Sequence, residues 1–138
     1  MVLDLSSLEK AVDSLNRAIK VAESSIQGIV DSDQEEVIQA GVIQNFEFTY
    51  ELCWKFMQRW LEKNVGPIID RLTMKELFRM AAEHQLIKKV EPWFEYHQTR
   101  NLTSHTYSLD IADEVYKTAI RFYKDAKKFL TILEERND

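Results

Sequence analysis

The sequence predicts an all-α chain, an up-and-down bundle of four to five helices forming one domain over residues 1–138, and three observations lead there. Glycine and proline number only three and two, too few for the many tight turns of a β-sandwich or barrel. Apolar side chains recur every three or four residues along most of the chain, the period of a helix. Between those runs stand recognisable helix start and stop signals.

The first helix is expected from Leu5 to about Ser24, where Leu8, Ala11, Val12, Leu15, Ala18, Ile19 and Ala22 form one apolar stripe. Gln27-Gly28-Ile29-Val30-Asp31 interrupts it, and Ser32 followed by Glu35 has the form of a capping box. A second helix then runs to about Asn64, with Val37, Ile38, Ile43, Phe46, Tyr50, Trp54, Met57, Trp60 and Leu61 in a broad band whose middle is expected to be buried. Asn64-Val65-Gly66-Pro67 ends it, because Gly suits a helix C-terminus and Pro cannot continue one. Thr73 with Glu76 is a second capping box, opening a helix through about Gln85 that turns Leu77, Met80 and Ala81 inward, with His84 near that face. Pro92 suits the first turn of a fourth helix carrying Trp93, Phe94 and Tyr96 towards Arg100. After a break before Asp110, that residue and Asp113 favour the N-terminal end of a last helix, in which Val115, Ala119, Phe122, Ala126, Phe129 and Leu133 face one way. Two long antiparallel helices are expected to form the spine.

A net charge of −5 argues against broad, non-specific nucleic-acid binding, which needs clustered Lys and Arg. No apolar run is long enough to span a bilayer and the N-terminus lacks the layout of a signal peptide, so a cytoplasmic protein without membrane contact is expected. The single Cys53 falls in an apolar helical pattern and reads as a buried, inert thiol.

The residues that carry chemistry are Arg100-Asn101-Leu102-Thr103-Ser104-His105-Thr106-Tyr107. This Arg-x-x-x-x-His-x-Tyr pattern, with Asn after the Arg, resembles the signature of HEPN domains encoded beside minimal nucleotidyltransferases. Gln44-Asn45-Phe46-Glu47-Phe48-Thr49-Tyr50-Glu51-Leu52-Cys53-Trp54-Lys55 is similar to the acidic, aromatic helix of the same family, so the resemblance covers most of the chain. It implies a bundle that forms a homodimer and cleaves RNA without metal or cofactor. It also implies a cognate minimal nucleotidyltransferase as partner, the antitoxin of a toxin–antitoxin pair, which silences the toxin by adenylylating Tyr107. Members of this subfamily are also described as non-catalytic substrate-binding subunits of that nucleotidyltransferase, and the sequence does not choose between the two roles. A purely structural helical dimer is a third reading.

The residue types suit RNA cleavage by the RNA's own 2′-hydroxyl, which needs a proton acceptor and charge stabilisation and leaves a 2′,3′-cyclic phosphate. His105, with an ordinary pKa of about 6.5, exchanges protons near neutrality, and Arg100 offers forked donors to phosphate. Asn101 lies four residues before His105 and, on a helix, shares its face, where it can bind a phosphate oxygen or orient the imidazole. Arg100 and Tyr107, seven apart, also share a face, which predicts an exposed Tyr107. Arg100 and His105 point about 140° apart on a regular helix, so either the helix breaks inside the motif or two protomers bring their motifs together across a dimer axis. The second arrangement is expected.

In the second helix Gln44, Glu47, Glu51 and Lys55 form a polar stripe. Glu47 and Glu51 either hold Arg100 or assist proton transfer, or they face solvent with a Glu51 to Lys55 ion pair; neither is a metal site, since no His accompanies them at ligand spacing. Lys117, Arg121, Lys124 and Lys128 form a basic stripe on the last helix, either a solvated face or a contact for RNA or an acidic partner. Trp93, Phe94 and Tyr96 read as core or dimer contact rather than a stacking platform. His84 and His97 receive no functional role.

Overall fold

A computed structural model describes residues 2–26 and 32–137, and within them every expected helix is present. Helix α1 spans Ser6–Ile26, α2 Ser32–Asn64, α3 Met74–Glu83, α4 Glu91–Leu102 and α5 Leu109–Glu135. The expected interruption at 27–31 lies outside the described residues. Helix α2 takes in Ser32 as its first residue, so the position before it, where a cap would act, also lies outside them.

Side-chain contacts give the direction of each helix. Ser14 donates to Asn45 and Thr49 donates to the carbonyl of Ala11, so α1 and α2 are antiparallel. Leu3 and Asn137 exchange two 2.8 Å hydrogen bonds, setting the start of α1 against the end of α5. Tyr96 donates to Asp125 while Trp93 packs on Phe129, so α4 is antiparallel to α5 as well. The bundle is therefore α1, α2, α4 and α5 in up-and-down order, with α3 inside the connection between α2 and α4. The expected spine of two long antiparallel helices is α1 with α2, and α1 is antiparallel to α5 as well; α2 and α5, the longest helices at 33 and 27 residues, run in the same direction. An even number of reversals separates α2 from α5, which fixes that outcome.

Phe122 of α5 is the centre of the core. Its ring meets Phe46, Tyr50, Trp93 and Tyr96 at centroid distances of 5.1, 6.3, 5.8 and 5.1 Å, mostly edge to face, the geometry that the ring quadrupoles favour. All six apolar residues predicted for the inner face of α5 are buried. Val37, by contrast, does not join the buried band of α2; it is 72% exposed, and Phe48, about three helical turns further on, is 58% exposed. These two residues mark the side of α2 turned away from the core.

The connections follow from local chemistry. Gly66 takes φ 137°, which L side chains rarely adopt, and Pro67 then opens a 3₁₀ turn, Pro67–Arg71, rather than an irregular connector. The Thr73–Glu76 capping box forms as predicted, Thr73 accepting from the Glu76 amide at 3.2 Å and Glu76 from the Thr73 amide at 2.9 Å. At its other end α3 closes in a Schellman motif: Leu86 and Gln85 donate back to Ala81 and Ala82, with Gln85 at φ 61°.

Candidate functional site

The motif begins at the end of α4 and leaves it almost at once. Thr103 donates its hydroxyl to the Arg100 carbonyl at 2.7 Å, competing with the backbone for the group that would continue the helix. A 3₁₀ turn, Thr103–His105, follows; Ser108 then donates its amide to the His105 carbonyl, and α5 starts at Leu109. The helix thus breaks inside the motif. Of the two arrangements open from the sequence this is the less expected one, and it removes the geometric need for a cross-axis site. It also dissolves the helical relations of Asn101 with His105 and of Arg100 with Tyr107. Asn101 remains exposed on the last turn of α4, whereas His105 and Tyr107 lie beyond it.

Arg100 is held from two sides. Its Nε donates to Glu51 Oε1 at 3.1 Å and its Nη1 to Thr103 Oγ1 at 3.2 Å, while the second oxygen of Glu51 accepts the Trp54 indole N–H at 3.1 Å. Glu51 therefore takes the Arg-holding role and makes no ion pair with Lys55, whose ammonium instead sits 5.7 Å from the Trp54 ring. With the two side chains 33% and 34% exposed, solvent screens the pair, which contributes about 1 kcal/mol or less to stability and serves mainly to aim the guanidinium. His105 is exposed and meets the Tyr107 ring edge to face, centroids 6.0 Å apart. Tyr107 is 84% exposed, as predicted. It borders a cleft of about 430 Å³ lined also by Glu36, Gln44 and Glu47 of α2, and Glu47 lies one helical turn before Glu51, the partner of Arg100.

A neighbouring contact was missed from the sequence. His97, one turn before Arg100 on α4, places Nδ1 2.7 Å from the Tyr50 hydroxyl. Consecutive residues of α2, Tyr50 and Glu51, thus receive His97 and Arg100 from the facing helix. The three-residue spacing of His97 and Arg100 was the available signal. Burial above all, then the negative Glu51, pushes the Tyr50 phenol well above its ordinary range. Burial likewise raises the Cys53 thiol, which lies fully inside the core as expected.

The basic stripe of α5 is not continuous. Lys117 pairs with Asp113 at 3.0 Å, and Arg121 pairs with Glu95 of α4 while donating to Thr118, because α4 lies alongside this part of α5. Lys124 and Lys128 are exposed and make no ion pair among the described residues. Trp93 and Tyr96 are core residues, and Phe94 is half-buried beneath Lys75 and Arg79. Among the described residues no group of three or more His, Cys, Asp or Glu could hold a metal ion, and no helix is long and apolar enough to cross a membrane.

Fold and site together define a small helical-bundle protein with its polar side chains gathered where α4 ends against α2. The sequence profile of the family described as nucleotidyltransferase substrate binding protein like matches residues 3–135, and the chain belongs to that family. It is 32% identical over 138 residues to a Haemophilus influenzae protein named Probable ribonuclease HepT, covering 98% of this chain and 94% of that one. A solved Haemophilus influenzae structure, described as revealing the fold of a substrate binding domain of a nucleotidyltransferase, superposes with a TM-score of 0.89 at 30% identity over 95% of this chain and 99% of the other. A crystal structure from Thermus thermophilus, 24% identical over 91% of this chain and 98% of that one, shares the fold with a TM-score of 0.72.

Proposed function

We propose that the chain is a HEPN-type endoribonuclease that works without metal, the toxin of a pair whose antitoxin is a nucleotidyltransferase. The observation that carries this reading is the break after Leu102: it leaves Arg100 aimed by Glu51 and Thr103 while His105 stands exposed in the turn beyond. Two of the five N–H donors of Arg100 are engaged, and the others are free in number to bind a phosphate. In the reaction the RNA 2′-oxygen bonds to phosphorus as His105 takes its proton, the bond from phosphorus to the 5′-oxygen breaks, and that oxygen takes a proton from solvent. The products are a 2′,3′-cyclic phosphate and a 5′-hydroxyl. A homodimer in which two such motifs share one cleft extends the reading to the assembly.

Tyr107 is the control point. Its phenol oxygen attacks the α-phosphate of ATP on the partner enzyme, pyrophosphate leaves, the phenol proton goes to solvent, and the added AMP occupies the approach to His105. The resemblance to a protein named as a ribonuclease supports the nuclease reading. The second reading, a substrate-binding subunit without catalysis, draws support from the match to the family described as nucleotidyltransferase substrate binding protein like.

The test is incubation of the purified chain with RNA in EDTA, followed by analysis of the product ends. The nuclease reading expects cyclic phosphate ends, and loss of cleavage once the partner nucleotidyltransferase and ATP have added AMP to the wild type but not to Tyr107→Phe. Intact RNA, with nucleotide bound instead, would establish the substrate-binding subunit.

A further inference from the structure

A second cleft, of about 580 Å³, lies between the start of α4 and the second half of α5. The motif occupies the end of α4 and the approach to α5, so the two sites are at opposite ends of this antiparallel pair. Pro92 and Ile132, both half-buried, and the edge of Ile87 are the apolar side chains open to this cleft, with Leu86, Trp93 and Phe129 buried behind them. Around it stand four lysines on two separate elements, Lys88 and Lys89 from the connection before α4 and Lys127 and Lys128 from α5, all exposed and without ion pairs among the described residues. Two carboxylates share the lining; Asp125 accepts the Tyr96 hydroxyl and Glu135 lies in the last turn of α5. The cleft is therefore locally cationic in a chain whose net charge is −5.

Four ammonium groups around one hollow raise the local potential and attract an anion, and the apolar side chains still open to it gain by being covered. Concave, mostly apolar sites of roughly 300–1,000 Å³ with a few polar groups at the edge are the usual form of small-molecule sites. We infer that this cleft binds a small amphipathic anion, with an apolar body against Ile87, Pro92 and Ile132 and a carboxylate or phosphate head among Lys88, Lys89, Lys127 and Lys128. Trp93 is buried and offers no open ring face, which favours an aliphatic body over a stacked base.

Calorimetric titration of the whole chain with decanoate and with decyl phosphate, each below its micelle concentration, tests the assignment, and the two heads separate a carboxylate ligand from a phosphate one. Saturable one-to-one binding is expected for at least one, with a shift of the Trp93 indole N–H resonance locating it. Decanol should bind at least about tenfold more weakly, and Lys88→Glu/Lys89→Glu/Lys127→Glu should weaken the anions by about tenfold or more, the weight of one lost charge-assisted contact. The substituted side chains are exposed, so the fold is retained. Equal affinity for decanol, unchanged affinity in the triple variant, or an acidic phenylalanine-containing peptide binding here when neither decyl anion does would overturn the proposal, the last in favour of a protein partner. The readout is binding alone, so its outcome is separate from that of the ribonuclease reading.

Discussion

Among the described residues two tyrosine–histidine pairs stand out, Tyr50 with His97 and Tyr107 with His105, and in both the ring centroids are 6.0 Å apart. The first pair spans two helices: Tyr50 is buried, its hydroxyl bonds His97, and Phe46 and Phe122 pack around it. The second lies within one turn of chain, with both residues exposed. The same side-chain chemistry thus becomes structural where packing fixes it and available where the helix has ended. What separates them is Thr103, whose hydroxyl takes the Arg100 carbonyl and turns the chain out of α4.

The largest expected effect comes from breaking the surroundings of the inner pair. Phe122→Ala removes the ring that four other aromatic residues share and should cost about 3–5 kcal/mol in denaturant unfolding, whereas a loss below about 1 kcal/mol would mean the cluster is not the centre of stability. Alkaline pH strikes the same region. The Tyr50 and Tyr96 phenols and the Cys53 thiol are all raised above ordinary values of 10.0, 10.0 and 9.0, desolvation by burial being the largest cause for each. For such groups the contribution to stability is fully present below the unfolded pKa and is lost as pH rises through and beyond it. The melting temperature should therefore fall progressively above about pH 9, and a flat profile to about pH 11 would contradict the burial of these protons. A smaller effect sharpens the contrast: Tyr50→Phe leaves His97 without its partner and should cost about 1–2 kcal/mol, while Tyr107→Phe should stay within about 0.5 kcal/mol of the wild type. Equal costs would erase the distinction between the pairs.

Much of this was legible in the sequence because helices are written locally. Periodicity placed all five, and the Thr73–Glu76 box and the Gly66-Pro67 stop acted where they were read. Direction and pairing were less legible, since contacts such as Glu51 with Arg100 or Tyr50 with His97 join residues far apart in the chain, and nothing in either helix alone names its partner. The polar stripe of α2 left Glu51 between two roles, and only the position of α4 assigns it to Arg100 rather than Lys55. The ion pair within the basic stripe of α5 was hidden for the same reason: Glu95, which takes Arg121, is on another helix. The break inside the motif was the less expected of two arrangements because no Gly or Pro marks it; a threonine hydroxyl bonds the Arg100 carbonyl there instead.

If the turn after α4 carries chemistry and not stability, His105→Ala should separate the two when both are measured on one preparation. Expected are an unfolding free energy within about 0.5 kcal/mol of the wild type, as for other exposed side chains, and loss of RNA cleavage in EDTA. A variant that still cleaves like the wild type, or one that loses cleavage only because it has lost several kcal/mol of stability, would contradict that division.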